Sequence, residues 1–412
     1  MRSLPVRLWC LPLLLCIAAR TSAGPGTDIL PEAGAVTLPE TAVTLPEISD
    51  TTIQIVFTSD VHYGITRPEF DGDTNVASHL VNTRMIASIN TLPATILPTD
   101  QGVGAGSPVG PIDYMMISGD IANRQEPPYP SAAVSWNQFT RDYGQGITIR
   151  NHQGRPIDLL LLPGNHDLSD AIGYYKHLEP RTDPTSMVGI YNQMLHPATK
   201  KTTASWRYPA DKISYTREIG GIHFIFITIW PDSANRVWME KDLAAVDPHT
   251  PVIIVTHDPP DGDAAHFRNP NGAHDINSSD RYECLLEETC KDPQDQAGKS
   301  DGKPQNDTIE QRGFVTFLKA HPNIKAYFHG HNNWNQFYTY TGPDHDVHLP
   351  TFRTDSPMKG KFSARDQTKL SFQLITIDPG SKTLTVRECL WNTDPLHPGK
   401  PPVWGESFTM TL

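Results

Sequence analysis

Cysteine is scarce in this chain. Five occur in 412 residues, and none stands at metal-ligand spacing, which excludes a site built on thiolates. Long hydrophobic runs are lacking too. The one extended apolar stretch, Leu8 to Ala19, follows Arg2 and Arg7 and is too short for a comfortable membrane span. With the small residues Thr21-Ser22-Ala23 behind it, this is the pattern of a secretory signal peptide over residues 1–23. A lipoprotein reading through Cys16 meets a bulky Leu15 just before it. No later segment is apolar for long enough to cross a bilayer, so no transmembrane segment is expected. Excess positive charge is also missing: 34 Lys and Arg stand against 46 Asp and Glu, a formal charge of −12. Loss of Arg2, Arg7 and Arg20 with the signal takes it to −15. That balance argues against a nucleic-acid groove held by phosphate contacts. An exported protein, secreted or periplasmic, is expected.

Three cysteines lie beyond the signal. Cys284 and Cys290 are the pair for a disulfide in an oxidising compartment, unless the intervening Leu-Leu-Glu-Glu-Thr is helical and turns them apart. Cys389 sits in a strand-like run and reads as a buried, inert thiol. Residues 24–51 are poor in aromatics and rich in Pro, Thr and Glu, with Ala-Val-Thr-Leu-Pro-Glu at 35–40 and again at 42–47. A proline in every repeat excludes a helix, so an extended, flexible leader is expected there.

From residue 52 to 412 the texture is that of one folded domain. Short, continuous apolar runs predict strands at Ile53–Phe57, Ile112–Ile117, Ile157–Leu162, Ile222–Ile229, Val252–Thr256 and Ile324–Phe328. Helical patterns fall between them at Asn75–Leu92, Ala132–Tyr143, Asn235–Val246 and Ile309–Ala320. The alternation argues for α/β architecture with crossover connections. Beyond Asn335 only strands are expected, with Leu370–Ile377 and Thr383–Leu390 joined by the turn residues Asp378-Pro379-Gly380-Ser381. Two segments read as insertions: a Gly/Pro-rich one near 93–110 and a long polar one near 258–308.

Five polar motifs follow the apolar runs. They are Asp60-Val61-His62, Gly119-Asp120, Gly164-Asn165-His166-Asp167, His257-Asp258 and His329-Gly330-His331-Asn332-Asn333. In open α/β sheets, ligands gather outside the carboxyl ends of the strands. Residues far apart in number are thereby delivered to one edge. Carboxylates, imidazoles and an amide are what divalent cations need around them. Singly, most of these pieces have plain alternatives: Asp120 as a helix cap, His257 as a satisfied histidine at a strand end. His223, inside an apolar run, reads as a packing histidine. Gly164-Asn165-His166-Asp167 is far more specific, because it joins a sharp turn, an amide ligand and a free imidazole.

In this order and after strands, the series resembles that of the calcineurin-like metallophosphoesterases, over roughly Ile53 to Asn333. The resemblance implies a four-layer α/β/β/α sandwich and a dinuclear centre that hydrolyses phosphomonoesters or phosphodiesters. It implies that Asp60 and His62 hold the first metal, that Asp120 bridges, and that Asn165, His257 and His331 hold the second. Two divalent ions are thus expected, and mixed nitrogen and oxygen donors suit Mn, Fe or Zn. The chain departs from the family at Asn333, where a second histidine is expected; a shifted register would use His329 with His331 instead. The tyrosine that purple acid phosphatases carry three residues after the bridging aspartate is Asn123 here.

Two cations would neutralise phosphoryl charge and yield a hydroxide near neutral pH. His166 is the candidate general acid, with Asp120 as the other catalytic residue, and Arg67, Arg124 and His266 are candidate contacts to the substrate. Arg268 and His274 share the long insertion with His266. A small phosphate ester or a phospholipid head group fits an exported acidic protein; oligomeric state is not legible. The competing reading is a non-catalytic secreted binding protein on the same fold, with a degraded metal site at Asn333.

Overall fold

A computed structural model describes residues 52–123, 130–169, 183–208, 210–263, 266, 308–397 and 399–412. The expected signal and leader, Arg124, Arg268, His274, Cys284 and Cys290, and most of the 258–308 insertion lie outside the described residues.

In chain order the elements are β1 (Ile53–Thr58), β2 (Thr66–Phe70), β3 (Asp73–Ala77), α1 (Ser78–Ile89), β4 (Tyr114–Ile117), α2 (Ala132–Gly146) and β5 (Asp158–Leu161). Then follow α3 (Asn165–Ser169), α4 (Thr185–Leu195), β6 (Ser214–Ile219), β7 (Ile222–Ile227), α5 (Ser233–Leu243) and β8 (Val252–Val255). The last are α6 (Thr308–Ala320), β9 (Ile324–His329), β10 (Gln336–Tyr340), β11 (Leu349–Arg353), β12 (Ser371–Asp378), β13 (Thr383–Leu390) and β14 (Val403–Thr411).

Two six-stranded sheets dominate, with orders β14-β13-β12-β1-β4-β5 and β10-β11-β9-β8-β7-β6. Each mixes parallel and antiparallel pairs: β1, β4 and β5 run parallel, as do β7, β8, β9 and β11. Apart from β11, these are the strands read from continuous apolar runs, and β7 and β8 are buried along their whole length. A strand covered on both faces has no wet side, so alternation is lost. The sheets face each other through Phe57 of β1 and Phe328 of β9, whose rings meet edge-on at 5.4 Å. Helices α1, α2 and α4 pack together on the outside of the first sheet, while α5 and α6 cover the second. The result is the four-layer α/β/β/α arrangement.

Local sequence explains the boundaries. The Ser131 hydroxyl caps α2 by accepting from Val134 N, and the Asp232 carboxylate caps α5 by accepting from Asn235 N. The helix expected from Asn75 begins only at Ser78. Residues 66–77 instead form the β2–β3 hairpin, closed by Asp71-Gly72 with both φ angles positive. Asp-Gly between strands is the sequence that such a two-residue turn demands. Strands β6 and β14 were not expected: β6 is half polar and β14 is an exposed edge. The expected hairpin is β12–β13, and the Asp378 carboxylate accepts from the Gly380 and Ser381 amides in its turn. Segment 93–110 is packed rather than loose. Leu97 and Val109 are buried, and Asp100 pairs with Arg387 of β13 at 2.7 Å. Cys389 is buried and free, with its thiol pushed well up by burial.

Candidate metal centre

The carboxyl ends of β1, β4 and β5 in one sheet meet those of β8 and β9 in the other. Pairing of β1 with β4 continues past both strands, as Asp60 N donates to Gly119 O at 3.0 Å and His62 N to Asp120 O at 2.9 Å. Asp60, His62, Asp120, His331 and Asn333 all adopt positive φ, between 44° and 66°. Non-glycine residues rarely do so, and such conformations persist where the surroundings over-determine them. Five of the seven candidate ligands are therefore held in strained backbone. Glycine makes the crowding feasible. At Gly119, φ is 120° and a Cβ would lie 2.6 Å from the Gly164 amide nitrogen and from His257 Nδ1. A Cβ at Gly164 would run into the Asp120 carboxylate.

Side-chain geometry divides the ligands into two groups around Asp120. On one side, His257 Nε2 lies 3.0 Å from Asn165 Oδ1, 3.5 Å from Asp120 Oδ1 and 3.3 Å from His331 Nδ1. His331 Nδ1 is itself 3.1 Å from Asn165 Oδ1. The outer nitrogens of both imidazoles are committed elsewhere. His257 Nδ1 donates to the Ser118 carbonyl at 2.9 Å, and His331 Nε2 meets the Asp263 carboxylate at 2.7 Å. A carbonyl only accepts, so His257 keeps its hydrogen on Nδ1 and turns Nε2 inward. Carboxylates and carbonyls behind metal-binding histidines play this orienting part. On the other side, His62 Nε2 stands 3.6 Å from both Asp60 Oδ1 and Asp120 Oδ2. Those separations are too long for hydrogen bonds, and Asp60 Oδ1 and both nitrogens of His62 have no hydrogen-bond partner although fully buried. Buried polar atoms are nearly always satisfied, and each exception costs about 1–3 kcal/mol. A buried carboxylate oxygen and imidazole converging without contact fit a cation between them. The groups Asp60–Asp120–His257 and His62–Asp120–His166 each bring three donor atoms within 4.8 Å of one another.

The electrostatics agree. Burial alone would lower His257, yet the Asp120 carboxylate raises it to about 10. His331 goes up to about 9, where Asp258 and Asp263 outweigh burial. Burial alone would raise Asp120, but His257 and His166 hold it well below the usual carboxylate range. A field that draws protons onto two imidazoles draws metal cations as well.

Asp167, the last residue of its motif, does not join the cluster. It accepts from the amides of Ile121, Ala122 and Gly164 at 2.9–3.0 Å, clamping the ends of β4 and β5 to each other. Burial pushes it up to about 6. His166 donates Nδ1–H to the Asn123 carbonyl at 2.7 Å and presents Nε2 to Lys359 Nζ at 3.0 Å. Burial first, and the Lys359 ammonium second, keep its imidazole well below its ordinary value.

The last motif resolves its register. His329 is turned away, with Nε2 on the Tyr338 hydroxyl at 2.8 Å and Nδ1 on the Gly330 carbonyl. It is therefore His331 that meets Asn165 and His257, and the alternative pairing of His329 with His331 fails. Asn333 donates to the His331 carbonyl at 2.6 Å, while its buried Oδ1 has no partner. Arg67 is corrected as a substrate contact. It is 1% exposed, and its guanidinium donates to the carbonyls of Glu69, Pro357 and Ser363. It fastens the segment after β11, because three carbonyls satisfy a buried fork better than an open site would. His266 lies at the rim, with Nδ1 on Asp258 at 2.6 Å and its ring 5.0 Å from that of His331. His223 bridges Glu218 and Asp242, as a packing histidine. Asp263 and Lys359 were not anticipated, and Asp258 stood in a motif without an assigned role. Asp258 directly follows His257 and could have been suspected, whereas Lys359 belongs to no motif.

Sequence comparison matches residues 53–344 to the family described as calcineurin-like phosphoesterase. No curated protein matches the chain. Among solved structures, Vps29 of Chaetomium thermophilum is 8% identical with a TM-score of 0.30, over 87% of this chain and 95% of that one. A single mutant of Vps29 from Entamoeba histolytica is also 8% identical, TM-score 0.31, over 87% of this chain and all of that one. Likeness at this level adds nothing to the reading of the site.

Proposed function

Because the chain belongs to the calcineurin-like phosphoesterase family, we propose that it is an exported, metal-dependent phosphoesterase acting on a small phosphate ester. One observation supports this most. The buried imidazole of His257, the partly exposed one of His331, an amide oxygen and a shared carboxylate converge on a single point, beside a second set of unpartnered donors. Asp60, His62 and Asp120 would hold one divalent ion, with Asn333 Oδ1 as an available fourth donor. Asn165, His257, His331 and Asp120 would hold the other. When bound, such ions neutralise phosphoryl charge and provide a hydroxide near neutral pH. The protein's own residues do the remaining tasks. Ser118 and Asp263 fix the inward nitrogens of His257 and His331, and Asp167 holds the loops that carry Asp120 and Asn165. His166, anchored on Asn123, would reach the leaving-group oxygen through Nε2.

Asn333 favours a second reading, a binding protein on this fold with one weakened ion site. Hydrolysis of p-nitrophenyl phosphate and its bis ester, with Mn²⁺ or Zn²⁺ restored after chelation, separates the two. Turnover of either ester that is abolished by chelation and restored by metal supports the enzyme. Full metal content without turnover supports the binding protein.

A further inference from the structure

Lys359 lies far from every motif in sequence, yet its ammonium stands 3.0 Å from His166 Nε2, itself 3.8 Å from Asp120 Oδ2. This is not a loose surface lysine. The Ser356 hydroxyl accepts the amides of Met358 and Lys359 at 3.1 and 3.0 Å and donates to the Asp60 carbonyl at 2.8 Å. Two residues on, the Lys361 amide donates to the Asn333 carbonyl. The segment carrying Lys359 is thus bound to the two motifs that flank the Asp60–His62 side of the cluster. From behind, the buried guanidinium of Arg67 holds its Pro357 and Ser363 carbonyls. The backbone is fixed and Lys359 is only partly exposed, so its Nζ is delivered to one place. Its charge is felt there: burial is the largest reason that His62 and His166 stay below their ordinary values, and Lys359 is the next.

We propose that Lys359 is a substrate-binding residue that meets the non-bridging phosphoryl oxygens beside His166 and selects phosphomonoesters over phosphodiesters. The inference rests on the phosphoesterase reading above. A compact ammonium is a point charge, and its attraction scales with the charge it faces. A monoester phosphoryl group carries two negative charges near pH 8 and a diester only one. The diester also places a second ester oxygen where the monoester offers a charged acceptor. Lysine at this position therefore favours the dianion in both charge and hydrogen bonding.

The test compares wild type, Lys359→Met and Lys359→Arg in the metal-loaded full chain. Three quantities are read: kcat/KM for p-nitrophenyl phosphate and its bis ester, metal content, and affinity for inorganic phosphate by calorimetry at pH 8. Loss of one charge-assisted contact predicts a fall of about 10- to 100-fold in monoester kcat/KM for Lys359→Met. The diester is expected to change less than about threefold, metal content to stay the same and phosphate binding to weaken about tenfold or more. Lys359→Arg recovers part of both losses. Equal losses on the two esters, unchanged phosphate affinity, or loss of metal from Lys359→Met would each overturn the assignment. If wild type binds metal and phosphate but turns over neither ester, the phosphoesterase reading fails. The phosphate affinities then decide Lys359 by themselves.

Discussion

At the scale of single residues, the site is a set of choices about which atom faces inward. His257 and His331 are both usable as ligands because Ser118 and Asp263 occupy their other nitrogens. Asp263→Ala is expected to lower metal affinity or activity about 10- to 100-fold while leaving the fold intact. Metal titration with circular dichroism checks it; an unchanged affinity would mean that Asp263 only covers the rim. His166→Ala is expected to lower kcat about 10²–10⁴-fold with metal content unchanged. Steady-state rates alongside elemental analysis read both quantities. The candidate ligands could be picked out because the motifs stand at strand ends in a fixed order. Asp263 and Lys359 could not, since orienting and charge-supplying roles carry no spacing rule and depend on which loops fold back. Arg67 shows the opposite error, in which closeness in sequence to His62 suggested a shared task, while the guanidinium points into carbonyls.

At the scale of elements, two sheets supply the donors, and loops between strand and helix hold them in place. The apolar runs predicted six strands well, because strands buried on both faces are short and continuously apolar, which the helices and loops of the domain are not. The β2–β3 hairpin was missed because its strands are mostly exposed and only Phe70 and Val76 reach the core; Asp71-Gly72 marked it. The segment after β11 is the element most in need of its fastening, since it brings both Ser356 and Lys359 to the centre. Arg67→Met leaves the buried Pro357 and Ser363 carbonyls without their donor and is expected to destabilise by about 2–4 kcal/mol. The melting temperature should fall, and kcat with it, as the Lys359 segment loosens. A substrate contact would behave differently, raising KM at an unchanged melting temperature, and that result would restore the role that the sequence suggested for Arg67.

At the scale of the whole molecule, the fold surrounds a polar seam with two dry sheets, and stability inherits a pH dependence from it. Asp355 is buried beside this seam, and burial raises it to about 8 against the opposing pull of the Ser363 hydroxyl, the Ser356 amide and the Arg67 guanidinium. A carboxyl raised above its unfolded value holds its proton better in the folded chain. Its contribution to stability is complete below about pH 4 and is lost as pH rises through about 8. Asp355→Asn, which mimics the protonated form, is expected to match wild type near pH 4 and to melt higher at pH 8. Thermal melts across that window check the sign, and a variant less stable at pH 8 would show that the ionised carboxylate is what the fold needs. An α/β architecture could be foreseen from the alternation of apolar runs and helical patterns, and its four layers from the family resemblance alone. The packing of segment 93–110 on β13 could not, because it depends on Asp100 meeting Arg387 across 287 positions.

The most direct test counts metal ions in the purified full chain by elemental analysis, with Asp120→Ala beside it. The wild-type chain is predicted to bind close to two divalent ions and the variant to lose both, since one carboxylate is shared by the two donor sets. A chain that binds no ion under metal excess, or a count that Asp120→Ala leaves untouched, would contradict a cation centre at this seam.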